Sequence, residues 1–228
     1  MAASIPREIV APAFEQLVRR RRATPHFTAE EVPGDVIAQA LQLAAEAPSG
    51  YNLQPWRYVI VHDPDARRRL KEAAFKQEKV GEAPLVFVAC AERDAWQDRA
   101  EDIIRTRARQ SGRPEGDVRG QKAAALKFIE TLPREVWLNR HVMIGFTYLM
   151  LAFEALGWDT APMEGFDAAA VRKVVGLPDD VVVVALLAVG RAAGAEPAHP
   201  GRLPPDEIAF LDRYGQPVAE LLHAGIQP

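Results

Sequence analysis

Residues 84–91 read Pro84-Leu85-Val86-Phe87-Val88-Ala89-Cys90-Ala91, an unbroken apolar run. A half-buried strand alternates apolar and polar side chains, so a run without polar members fits a central strand covered on both faces. Val181 to Val189 is a second such strand, entered through the turn Leu177-Pro178-Asp179-Asp180. Tyr58 to His62 is a shorter one. Helical patterns surround all three. Ile37, Ala40, Leu41, Ala44 and Ala47 follow helical spacing, with Pro33 and Asp35 suited to the first turn. Asp63 is placed to N-cap a charged helix that begins at Pro64. Phe14 to Arg22 reads as a short helix. Trp96 to Ile129 reads as two exposed helices around Ser111-Gly112-Arg113-Pro114, an excursion at about 95–130. Val136 to Leu156 is long and apolar, a buried central helix or a subunit interface. From about Gly190, four prolines precede the last helix-like stretch, which predicts an extended C-terminal arm. The helices are too bunched for regular βαβ winding. The expectation is a single α+β domain over residues 1–228, a sandwich with a small central sheet and helices on both faces.

The chain has 228 residues, 48% hydrophobic and 26% charged, as in ordinary globular proteins. Its 28 basic and 31 acidic residues give a net charge of −3, which argues against a nucleic-acid or membrane-surface partner. No apolar run is long enough to span a bilayer, and the N-terminus lacks a signal-peptide pattern. Cys90 is the single cysteine, so an intrachain disulfide is impossible, and a cytoplasmic location is expected.

Chemistry concentrates in a few segments. Pro48-Ser49-Gly50-Tyr51-Asn52-Leu53-Gln54-Pro55-Trp56 is a strand-entry loop. Ser49, Asn52 and Gln54 donate and accept without charge, which suits a planar polar ligand such as a flavin ring; the alternative is a rigid turn. Arg19-Arg20-Arg21-Arg22 is a dense cationic cluster. Its guanidinium forks match phosphate oxygens, or it is a solvated helix end favoured by the macrodipole. Ala161-Pro162-Met163-Glu164-Gly165-Phe166 reads as a turn whose main-chain amides can bond a ring nitrogen, or as an ordinary turn with Phe166 in the core. Arg202 stands on the proline-rich arm, and Lys79 ends the helix before Pro84. The sequence contains no G-x-G-x-x-G after a strand and no phosphate-binding P-loop. Its five histidines share no ligand spacing, so no metal site is expected, and Ser49 lacks a hydrolase context.

Taken together, these segments resemble the FMN-dependent nitroreductase family, from about Phe14 to about Pro204 and weakest over Trp96 to Ile129. The carrying segments are the arginine-rich start ending in His26-Phe27, PSGYNLQPW, PMEGFD at Pro162 to Asp167, and GRLP around Arg202. The resemblance implies a nitroreductase-like sandwich with a mixed sheet, and a homodimer with shared active sites. It implies bound FMN as cofactor and NAD(P)H as electron donor. Electrons then pass to a small organic acceptor, such as a nitroaromatic or quinone, by ping-pong kinetics. By that likeness Arg20, Arg21, Arg22 and Arg202 hold the FMN phosphate. Pro48, Ser49 and Gly50 line the flavin from the partner subunit, and the loop's Asn52 and Gln54 join the cofactor-binding candidates through their amide chemistry. Glu164 and Gly165 face flavin N5 with their backbone, and Lys79 stands near the pyrimidine edge. No catalytic side chain is assigned.

The chain also departs from the family pattern. Arg21-Arg22-Ala23-Thr24-Pro25 stands where Arg-Arg-Ser-x-Arg/Lys is frequent, so two registers of the arginines on the phosphate stay open. Lys76 occupies a position where an amide is common. Two alternatives accompany this reading. One is a flavin-consuming or dehalogenating enzyme of the same fold, and the other is a dimeric interaction protein that has lost FMN.

Overall fold

In the computed structural model, residues 6–94, 96–112, 116, 118–195, 197–218 and 221 are described. The chain divides into two compact units, Met1–Pro197 and Ala198–Pro228. The first begins with α1 (Arg7–Arg20) and α2 (Gly34–Ala45), then β1 (Trp56–Val61), α3 (Pro64–Ala73), α4 (Glu78–Glu82) and β2 (Leu85–Glu92). It continues through α5 (Trp96–Gln110), α6 (Val118–Glu130), α7 (Arg134–Ala155), β3 (Asp159–Met163), α8 (Ala168–Val175) and β4 (Val181–Gly190). The second unit holds α9 (Pro205–Ile208) and a bridge between Phe210 and Pro217. Arg113 and Pro114 of the expected helix break lie outside the described residues, as does most of the expected last helical stretch.

The four strands form one sheet in the order β1-β2-β4-β3. Every neighbouring pair is antiparallel, where the resemblance implied a mixed sheet. Among the described residues, parallel pairing is confined to one isolated bridge, Ala23 with Thr160. A mixed ladder needs a parallel strand alongside; here only the short segment after α1 runs that way.

Period-2 geometry explains the apolar run. Leu85, Phe87, Ala89 and Ala91 of β2 join one buried cluster with α2 and α7. Val86 and Val88 point the other way, into a second cluster with α3, α4 and α8. The strand is therefore buried on both faces, and Cys90 with it. Burial pushes the Cys90 thiol up to about 11, which makes it inert.

Helix α7 lies against the sheet so closely that Gly145 is required. A Cβ there would stand 2.9 Å from Trp56 Cδ2 and 3.0 Å from Tyr58 Oη. The helix buries Trp137, Leu138, Val142, Phe146, Leu149 and Phe153, yet leaves Val136, Ile144 and Tyr148 exposed. Asp63 caps α3 as expected, its carboxylate accepting from Ala66 N at 2.7 Å. No helix among the described residues is long and apolar enough to cross a membrane.

Candidate functional site

Strand β3 was expected to be a turn. It is a short edge strand, and its two ends carry two of the sequence-selected segments. At its start, the chain leaving α1 runs extended beside it: Thr24 N donates to Thr160 O at 3.0 Å. The same segment pairs Phe27 with Ala192, and Ala193 N donates to His26 O at 2.8 Å. These bonds fix the backbone that bears the arginines. Arg22 Nη1 donates to the Arg19 and Arg21 carbonyls at 2.6 and 2.8 Å, closing the C-terminus of α1. Arg19 pairs with Glu15 at 2.7 Å, whereas Arg20 is exposed. Arg21 Nη1 and Arg22 Nε are buried and have no protein partner among the described residues. Arg20, Arg22, Thr24, Glu154 and Asp159 line a small hollow at this point.

At the other end of β3, Glu164 and Gly165 form an exposed turn. Gln77 Nε2 donates to Gly165 O at 2.8 Å, and Asp167 N donates to Ala73 O at 2.8 Å. The α3–α4 turn is thereby tied to this one. Within the α3–α4 turn, Phe75 and Lys76 take left-handed φ values of 53° and 60°, which side-chain-bearing residues rarely adopt. Lys79 is half-buried on α4, two residues beyond Gln77. The side-chain amide of this turn is that of Gln77, next to Lys76, and it is bonded to Gly165 O. Four strand rises separate Thr160 from Glu164, about 13 Å.

The loop before β1 sits elsewhere. Its Ser49 Oγ accepts from Gln54 N at 3.0 Å, and Gln54 Nε2 donates to Asn52 O at 3.1 Å. Tyr51, Asn52 and Gln54 all have positive φ, held in place by these bonds. Arg57 Nη1 donates to the Gln54 and Trp56 carbonyls at 3.2 and 2.6 Å, clamping the loop's exit. Pro48 is exposed and Gly50 half-buried, and a Cβ on Gly50 would lie 3.1 Å from His141 Nε2. His141 Nδ1 is 2.8 Å from Trp137 O and donates to it, since a carbonyl only accepts, and Nε2 faces the loop. Arg57, Gln77 and His141 were missed in sequence because their partners are remote or main-chain. Asn52 and Gln54 also flank an open groove of about 320 Å³ with Arg99, Asp102, Thr106 and Arg107 of α5. The excursion thus packs beside the loop.

Because β1 and β3 are opposite edges of the sheet, the loop and the arginine segment of one chain stand about 14 Å or more apart across it. In the second unit, Arg202 is exposed and donates to Gly201 O at 2.5 Å. Among the described residues no cluster of His, Cys, Asp and Glu is arranged to hold a metal.

Known proteins share this fold. The nitroreductase family pattern matches residues 18–191. A protein named NADH dehydrogenase from Thermus thermophilus is 36% identical over 192 residues, 84% of this chain and 92% of its own. An oxygen-insensitive NAD(P)H nitroreductase from Enterobacter cloacae is 28% identical over 169 residues, 69% of this chain and 75% of its own. A nitroreductase crystal structure in complex with FMN, from Exiguobacterium sibiricum, superposes with a TM-score of 0.76 at 27% identity. That likeness covers 87% of this chain and 97% of the other. With a family match over most of its length and the two-faced sheet beneath it, the chain belongs to the nitroreductase family.

Proposed function

We propose that the protein is an FMN-dependent oxidoreductase that takes electrons from NAD(P)H and passes them to a small organic acceptor, a nitroaromatic or quinone. The observation that carries this is the pairing of two segments by β3. Cationic N–H groups of Arg21 and Arg22 lie at one end, and the Glu164–Gly165 turn lies about 13 Å along the strand at the other. That span suits a ligand with a phosphate at one end and a ring at the other.

The residues present fit FMN. The buried Arg21 and Arg22 N–H groups, without a protein acceptor among the described residues, are open to an anion, and a phosphate supplies one. The turn at Glu164 and Gly165 is exposed, so its backbone is open to a ring edge. Bound FMN would supply the two-electron chemistry. Arg21 and Arg22 would hold its phosphate, with Arg20 at the rim. Glu164 and Gly165 would orient the ring through their backbone, and Lys79 would place positive charge near its pyrimidine edge. Donor and acceptor would use one space in turn, which gives ping-pong kinetics; the absence of a dinucleotide motif from the sequence supports this.

The active unit in this reading is a cytoplasmic homodimer. Pro48, Ser49, Gly50, Asn52 and Gln54 of one chain lie at the sheet edge opposite Arg21 and Glu164, so they would serve the partner's site rather than their own. The exposed Val136, Ile144 and Tyr148 on α7, with Ile9 and Phe14 on α1, offer apolar surface for that association. Purified protein should be yellow, release FMN on denaturation, and scatter light at twice the 25.1 kDa chain mass. A colourless monomer that takes up no added FMN would overturn the reading.

A further inference from the structure

Glu154 is a buried carboxyl that the proposed reaction does not use. It sits on the last turn of α7 at 7% exposure. Its Oε1 accepts from Thr160 N at 3.1 Å and from Thr160 Oγ1 at 2.6 Å. Thr160 in turn accepts from Thr24 N at 3.0 Å. At the edge of β3, where the segment after α1 pairs with Thr160, the carboxyl thus braces the segment that carries Arg21 and Arg22. The charged groups near it are Arg20 from α1, Arg21 and Arg22 from the segment after it, and Asp159 from the start of β3. Asp159 is occupied with Ala192 N at 2.8 Å. Arg191 is turned away, over the Trp158 ring and onto Gly157 O.

We propose that Glu154 is a proton-linked positioning residue: as a carboxylate it opposes a phosphate for the charge of Arg21, and it takes up a proton when that phosphate binds. This rests on the assignment of Arg21 to the FMN phosphate. The geometry permits the exchange, because both Thr160 bonds fall on Oε1 and a proton from solvent can reside on Oε2 without breaking either. The balance also permits it. Burial pushes the Glu154 carboxyl up to about 7, with the Thr160 hydroxyl drawing it down, Asp159 raising it, and Arg21 drawing it down. A dianion brought to Arg21 adds like charge beside the carboxylate and favours the neutral acid further.

The test is flavin binding followed by fluorescence quenching and by calorimetry in buffers of different ionisation enthalpy. It compares the wild type with Glu154→Gln, and FMN with riboflavin, which lacks the phosphate. At about pH 7.5 the FMN phosphate is already mostly dianionic, since its second pKa is about 6. Wild type should then take up about half a proton or more on binding FMN and none on binding riboflavin. The preference for FMN over riboflavin should fall several-fold, up to about tenfold, between about pH 7 and pH 8.5. Glu154→Gln should abolish both effects. If FMN binds and Arg21→Ala weakens it, yet no proton is taken up, the inference fails and the site assignment stands. If FMN does not bind, or Arg21→Ala leaves its affinity unchanged, both fail. Should Glu154→Gln not fold, the wild-type proton count with the two flavins decides alone.

Discussion

Gln77 and Gly165 stand 88 residues apart in sequence and meet through one hydrogen bond, Nε2 to carbonyl oxygen, at 2.8 Å. That bond joins the left-handed Phe75–Lys76 turn to the turn after β3, so it fixes two loops against each other. Gln77→Ala should lower stability by about 0.5–1.5 kcal/mol, the net worth of such a bond. In a chain of this size that is a shift of a few degrees in Tm, about 2–4 °C per kcal/mol. FMN affinity should fall with it, because Glu164 and Gly165 lose their brace. Calorimetry and a flavin titration check both; a variant unchanged in each would show the bond to be idle.

The second prediction concerns the arginines. Arg21→Ala should weaken FMN roughly 10- to 100-fold, from loss of a charge-assisted bond of about 1.5–3 kcal/mol. Arg202→Ala should do the same if it reaches the same phosphate, and the double variant should cost less than the sum. Riboflavin affinity should barely move in either. An Arg202→Ala titration indistinguishable from wild type would make that side chain a solvated surface group.

How much of this was legible in the sequence depended on how local the signal was. Val86 and Phe87 announce a two-sided strand by themselves, since neither face of β2 reaches water. Asp63 before Pro64 announces a helix start by the same kind of local rule. Strand β3 was missed because Pro162 lies inside it and Gly165 follows closely, both turn signals. An edge strand tolerates such a proline because one side of it needs no ladder. The antiparallel order was likewise hidden, because strand direction depends on how α3 and α4 return the chain. Gln77 and Glu154 act through partners fixed only by tertiary packing, so no spacing in the sequence marks them.

Gly145 provides a stability test independent of any ligand. A methyl group there would fall 2.9 Å from Trp56 Cδ2, within a contact that buried side chains cannot widen cheaply. Gly145→Ala should therefore cost about 1–3 kcal/mol, as overpacked cores do. The better helix propensity of alanine, about 1 kcal/mol, would offset part of that. Urea unfolding should give a lower midpoint with an unchanged slope. A variant as stable as wild type would mean that α7 can move away from β1 without loss.

The pH dependence of the unliganded protein gives the last prediction. Burial raises the Glu154 carboxyl from its ordinary 4.5 to about 7, so between those values the folded state binds a proton that the unfolded chain has released. Stability from this group is fully present below about pH 4.5, falls as pH rises toward about 7, and is flat above that. Glu154→Gln removes the ionisation but keeps an oxygen for the Thr160 N–H and hydroxyl. Relative to wild type, the variant should gain stability steadily from about pH 5 to about pH 7, by a few kcal/mol at most, and no further above it. Urea midpoints of the two proteins at several pH values measure the difference directly. Parallel curves across that window would mean that Glu154 keeps an ordinary carboxylate pKa in its buried place beside Thr160.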